Sequence, residues 1–101
     1  MAIYTPMFNE IRKFLYKEIG KYLAANRKAR INEINRYIRD LKKVEPEKYR
    51  LIKFTYSMPY SEQIQKVLVD MVRHNLIEKT TKGYQLTKLG KNYASTDEKW
   101  I

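Results

Sequence analysis

Catalysis needs nucleophiles, proton carriers or metal ligands at workable spacing, and this chain is poor in all three. Cysteine is absent, which excludes disulfides, thiolate nucleophiles and Cys-based zinc sites. His74 is the single histidine, so His-rich metal sites and most imidazole general-base schemes fall away too. Carboxylates are scattered at surface-type positions, and neither a Gly-rich phosphate loop nor a Ser, His and acid spacing is present. The expectation is no enzyme, no metal and no cofactor. What these residues can do is hold anions. Lys and Arg number 21 against 11 Asp and Glu, a formal net charge of +10 over 101 residues. Three cations fall together at Arg27, Lys28 and Arg30, and no acid lies between Lys79 and Asp97. A polyanion is the expected partner, nucleic acid before an anionic membrane surface.

The cations must be carried on something folded. Hydrophobic residues make up 44% of the chain, with 3 Gly and 3 Pro, enough for one small core and too much for wholesale disorder. Basic residues are spread along the whole length, as on the surface of a folded body. One domain over residues 1–101 is expected, with no repeat and no dividing linker. No signal-like or membrane-spanning stretch is read, so the expectation is a soluble, cytoplasmic protein.

Hydrophobic spacing sets out the elements. Phe8, Ile11, Leu15, Ile19 and Tyr22 recur at three- and four-residue steps and predict a helix over Met7 to Ala25, with Thr5 as its cap. Phe14, Tyr16 and Leu23 lie outside that stripe, which fits either a wide contact within the chain or a dimer interface. Ile31, Ile34, Ile38 and Leu41 predict a second helix, with Arg36, Arg39 and Lys43 pointing away. Leu51 to Tyr56 alternates like a short strand, against which stands a helical turn from Pro46 to Lys53. Ser61 is a good cap for a third helix from Glu62 to about His74. Its expected buried face is Ile64, Val67, Leu68, Met71 and Val72, with Lys66, Val69 and Arg73 opposite. Asn75 supplies a left-handed stop. Leu76 to Lys79 and Tyr84 to Thr87 read as strands of a hairpin turned at Thr80 to Gly83. Thr87 caps a last helix, Lys88 to Ala94, with Leu89 and Tyr93 inward, and 95–101 is a tail.

Specific residues carry a family resemblance. Leu68, Met71 and Val72 leading into Asn75-Leu76-Ile77-Glu78-Lys79 are similar to an L-x-x-x-G-L-I-E join. Gly83-Tyr84-Gln85-Leu86-Thr87-Lys88-Leu89-Gly90 resembles a hairpin followed by L-T-x-x-G, and Tyr56 to Ser61 is similar to a Y-G-P-Y-S helix start. Over about residues 54–94 the chain thus resembles the winged helix-turn-helix DNA-binding domains, an α+β class that is mostly helical. The richness in Lys, Ile and Tyr without Cys is similar to small regulators of thermophilic archaea and their viruses. The family joins its second and third helices by a turn of three or four residues. Here Lys43 to Pro59 intervenes, a departure that bears on how the third helix docks.

The resemblance implies a protein that binds double-stranded DNA, and the expected role is a regulator of transcription acting as a homodimer, with the first helix and the C-terminal tail as the candidate dimer contacts. Its third helix would enter the major groove through Tyr60, Ser61, Gln65, Lys66 and Arg73. Its wing, Lys79, Thr80, Thr81 and Lys82, would touch the backbone or minor groove, and Arg27, Lys28 and Arg30 would add phosphate contacts. Each has a plainer reading. Lys66 and Arg73 share their expected face with Glu62 and Asp70, as on a solvated helix with internal ion pairs. The rival function is a winged-helix module that binds protein, drawing on the 9 Tyr as interface residues. RNA binding through stacked Tyr is a third.

Overall fold

The computed structural model describes residues 6–50, 52–54 and 61–96. Helix α1 spans Pro6–Asn26. The Asn26 side-chain amide donates back to the Tyr22 carbonyl at 2.8 Å, and Arg27 takes a left-handed φ of 65°, so the chain reverses there. Strand β1, Lys28–Ala29, and helix α2, Ile31–Val44, follow. After a long connection come α3, Glu62–Arg73, then β2, Ile77–Thr80, and β3, Gly83–Leu86, and finally α4, Lys88–Thr96. The described residues form an α+β body, mostly helical, with one antiparallel sheet in the order β1-β3-β2.

The core joins every layer. Leu15, Ile19 and Leu23 of α1 meet Ile34 and Ile38 of α2, with Ile64, Val67, Leu68 and Met71 of α3, and Ile77 and Leu86 close the sheet side. All are buried. Tyr16 and Leu23 are spent inside this chain, and Phe14 packs against the core. These three residues, outside the main stripe of α1, therefore make contacts within one protomer. The described tyrosines follow the same pattern: Tyr16 and Tyr49 are buried, and Tyr22, Tyr37, Tyr84 and Tyr93 pack on the core edge. Tyr22 and Tyr37 stack at 4.5 Å between ring centroids, clamping α1 to α2. Burial, reinforced by the Glu18 carboxylate that accepts its O–H, pushes the Tyr37 phenol up to about 12.

The connection between α2 and α3 is built into the fold. Residues 46–50 form hydrogen-bonded turns, and Tyr49 and Ile52 insert their side chains into the core. Asn35 of α2, 1% exposed, then spans the gap. Its Oδ1 accepts the Ser61 backbone N–H at 2.9 Å, and its Nδ2 donates to the Ile31 carbonyl at 2.8 Å. One buried amide thus holds the start of α3 against α2, where a tight turn would have done so by chain length alone.

Several expectations are corrected. No strand runs over 52–54; the third strand is Lys28–Ala29, which pairs with Gln85 and Tyr84 of β3. A two-residue strand is too short for any periodicity to reveal, and only its partner fixes it. Val72 is 40% exposed and Leu89 38% exposed, so neither belongs to a buried face. In α4 the inward position belongs to Gly90, where a Cβ would fall 2.0 Å from the Leu76 carbonyl oxygen. Ser95 is helical rather than tail. Ser61 is the N-cap residue of α3 but makes no side-chain cap bond. Thr87 does cap α4, its Oγ1 accepting the Gly90 N–H at 3.0 Å. Asn75 takes its left-handed turn at φ 61°. The expected cap Thr5 lies outside the described residues.

Candidate nucleic-acid interface

The geometry of α3 follows from what α1 does to one carboxylate. On a helix at ~100° per residue, Asp70 sits only about 40° from Lys66, at the border between wet and dry faces. Two α1 side chains decide its side. Tyr16 donates its O–H to Asp70 at 2.8 Å, and Arg12 pairs with the same oxygen at 3.1 Å. Asp70 is 5% exposed as a result. Burial alone would raise its pKa. The Tyr16 hydroxyl, the Arg12 guanidinium and His74, 3.8 Å away, outweigh it and hold the carboxyl below its ordinary value. Asp70 is therefore not on the outer face that Lys66 and Arg73 share.

That face carries Glu62, Lys66, Val69 and Arg73 exposed, with Val72 exposed and Gln65 half-buried along one side. No Glu62–Lys66 ion pair forms, and among the described residues Lys66 and Arg73 make none. The two cations stand seven residues apart, roughly 10 Å along the axis. Ser61 departs from the expected set. It is fully buried, with its hydroxyl donating to Gln63 at 2.8 Å and its N–H to Asn35, so it offers nothing to an outside molecule. Tyr60 lies outside the described residues.

The hairpin is short. Thr80 pairs with Gly83, leaving Thr81 and Lys82 as the turn. Thr80 closes it from within, donating to the Gly83 carbonyl at 2.8 Å and accepting the Lys82 N–H at 3.1 Å. Its hydroxyl is thus occupied by the turn, whereas Thr81 and Lys82 are exposed at the tip. Lys79, also exposed, sits 6.0 Å from the Tyr84 ring centroid. Gly83 has φ 126°, and a Cβ there would fall 2.6 Å from the Ala29 carbonyl oxygen and 3.1 Å from the Arg30 nitrogen. That close approach brings β1 against the base of the turn. Arg27, Lys28 and Arg30, all exposed, are thereby placed on the edge of the same sheet as the hairpin, not in a separate loop. Arg30 also starts α2, its N–H donating to Glu33 at 2.7 Å.

Two cationic surfaces result, the outer face of α3 and the β1–hairpin edge. Both present exposed Lys and Arg suited to phosphate oxygens and to acceptor-rich base edges. Among the described residues no group of three His, Asp or Glu could hold a metal ion, and no helix is long and apolar enough to cross a membrane. The residues that sequence reasoning missed are Arg12, Tyr16 and Asn35, which position α3. Their only signal is chemical: a polar side chain among apolar neighbours needs a partner. No family model matches the chain, and no curated protein or solved structure matches it.

Proposed function

We propose that this chain is a winged-helix protein that binds double-stranded DNA and acts as a regulator of transcription. In this reading α3 enters the major groove and the β2–β3 hairpin is the wing. The outer face of α3 carries the reading. With Asp70 turned inward it presents Lys66 and Arg73, with the half-buried Gln65 along one side, against the single carboxylate of Glu62. The element order supports it in part, since three helices, a β2–β3 hairpin and a closing helix follow the arrangement that the resemblance implies, while the short strand lies between the first two helices rather than before the third. Gln65 suits an adenine edge, Lys66 and Arg73 suit guanine O6 and N7, and Lys79, Thr81 and Lys82 suit phosphate oxygens. Two copies would set two α3 helices on half-sites about 34 Å apart, and the mass of the complex on a duplex with paired half-sites tests that.

The mutational test compares Lys66→Glu with Arg73→Glu, and separately Lys79→Glu with Lys82→Glu, by fluorescence anisotropy on duplex DNA. Each pair should weaken binding tenfold or more, about 1–3 kcal/mol per lost contact. Full binding by both pairs would refute the docking. One observation favours a second reading, a winged-helix module that binds protein. Val69 and Val72 are 57% and 40% exposed on the same face, and an apolar contact there suits a protein partner. Binding to protein but not to DNA, abolished by Val69→Asp, would support it.

A further inference from the structure

A groove of about 620 Å³ opens where the end of α1, the β1–β3 edge and α4 converge. Its size falls within the ~300–1,000 Å³ of small-molecule sites. Leu23 and Leu86, both buried, form an aliphatic floor, and Ala24 and Ala94 leave the space above it open because their side chains are short. Three cations, Arg27, Lys28 and Lys91, line the same groove. Among the described residues none of the three makes an ion pair and no carboxylate lines the recess. Gln85 of the lining donates its side-chain amide to the exposed Glu78 carboxylate.

We propose that this groove binds a small amphipathic anion, an aliphatic body carrying one carboxylate or comparable acidic head. The body would displace water from Leu23 and Leu86, and the head would be held by Arg27, Lys28 and Lys91. The lining chemistry sets the class. A stacked nucleobase needs an aromatic platform, and among the described residues no aromatic side chain lines the groove. A bare inorganic anion would leave the aliphatic floor unused, and a neutral lipid would leave three cations unanswered. The position of Arg27 explains the placement. Its left-handed φ of 65° turns the chain from α1 into β1 at the rim, so that two consecutive cations border one recess.

The proposal does not rest on DNA binding, although Arg27 and Lys28 also lie on the β1–hairpin edge, and it is tested on the full chain by amide-resolved NMR titration with octanoate, octanol and sulfate. Octanoate should bind saturably, shifting amides of 23–28, 85–86 and 91–95, and should do so at least tenfold more tightly than octanol or sulfate. Lys91→Glu should weaken octanoate tenfold or more, and Ala24→Phe, which fills the mouth from an exposed position, should abolish it while the remaining spectrum stays native. Equal affinity for octanol or for sulfate would overturn the proposal. So would shifts centred elsewhere, no binding, or unchanged octanoate affinity in a folded Lys91→Glu variant. A protein that takes octanoate here but ignores DNA would refute the regulator reading and leave this one standing.

Discussion

Replacing Asp70 separates two accounts of α3. Were Asp70 on the outer face, Asp70→Asn would remove a charge that repels phosphate, tightening DNA binding at no cost to the fold. The structure predicts the reverse. Asp70→Ala removes the acceptor that Asp70 gives the Tyr16 hydroxyl, on a residue 3% exposed, at about 1–3 kcal/mol for a buried hydrogen bond lost from one side. The Arg12 side chain is 27% exposed and regains water, so its share stays within about 1 kcal/mol. The total is roughly 1–4 kcal/mol by urea denaturation at pH 7. Asp70→Asn keeps an oxygen for Tyr16 and loses only the charge, costing about 1–2 kcal/mol. The pH dependence has a definite sign. The folded carboxyl lies below its ordinary value of 3.8, so its contribution is complete above that value. It disappears as pH falls through the lower, folded pKa. The gap in stability between wild type and Asp70→Asn should therefore close in strong acid. DNA affinity of the folded Asp70→Asn protein should change less than about twofold, since one buried charge is removed behind the contact face. A severalfold gain in affinity with unchanged stability would refute the inward placement.

Asn35→Ala should cost about 2–3 kcal/mol, because the Ser61 N–H loses its partner inside the protein; hydrogen exchange should show α3 opening from its N-terminal end. Gly90→Ala should cost several times more than an ordinary exposed helix substitution, with a Cβ 2.0 Å from the Leu76 oxygen, and thermal melting reads the loss. Gly83→Ala should destabilise by about 1–2 kcal/mol from its left-handed backbone alone, with the contact to Ala29 adding more, and should loosen β1 from β3.

How much of this could be read from residues alone depended on the length scale of the signal. The stripes Leu15–Ile19 and Ile34–Ile38, the cap at Thr87 and the left-handed Asn75 were legible because each is a local pattern with a local cause. The Lys79–Lys82 hairpin was legible for the same reason, as Gly83 demands its turn. Strand β1 was not, since two residues carry no period and their pairing depends on β3, more than fifty positions away. Asp70 was misplaced because helical phase alone left it at a boundary, and the deciding groups, Arg12 and Tyr16, lie on another helix. The apolar Val72 and Leu89 were assigned inward by residue type. Gly90 took the inward position in α4 because only a residue without a Cβ fits against the Leu76 carbonyl. Of the candidate contacts, Ser61 failed for a related reason: it is buried, its backbone N–H held by Asn35 and its hydroxyl by Gln63.

The most direct test of the central claim is a fluorescence-anisotropy titration of random-sequence duplex DNA at 50 and 200 mM salt, with single-stranded RNA as competitor. Neutralising several phosphates predicts binding at the lower salt that weakens about a thousandfold at the higher, with the RNA competing poorly. No binding at 50 mM salt, or RNA displacing the duplex as effectively as DNA does, would contradict the account.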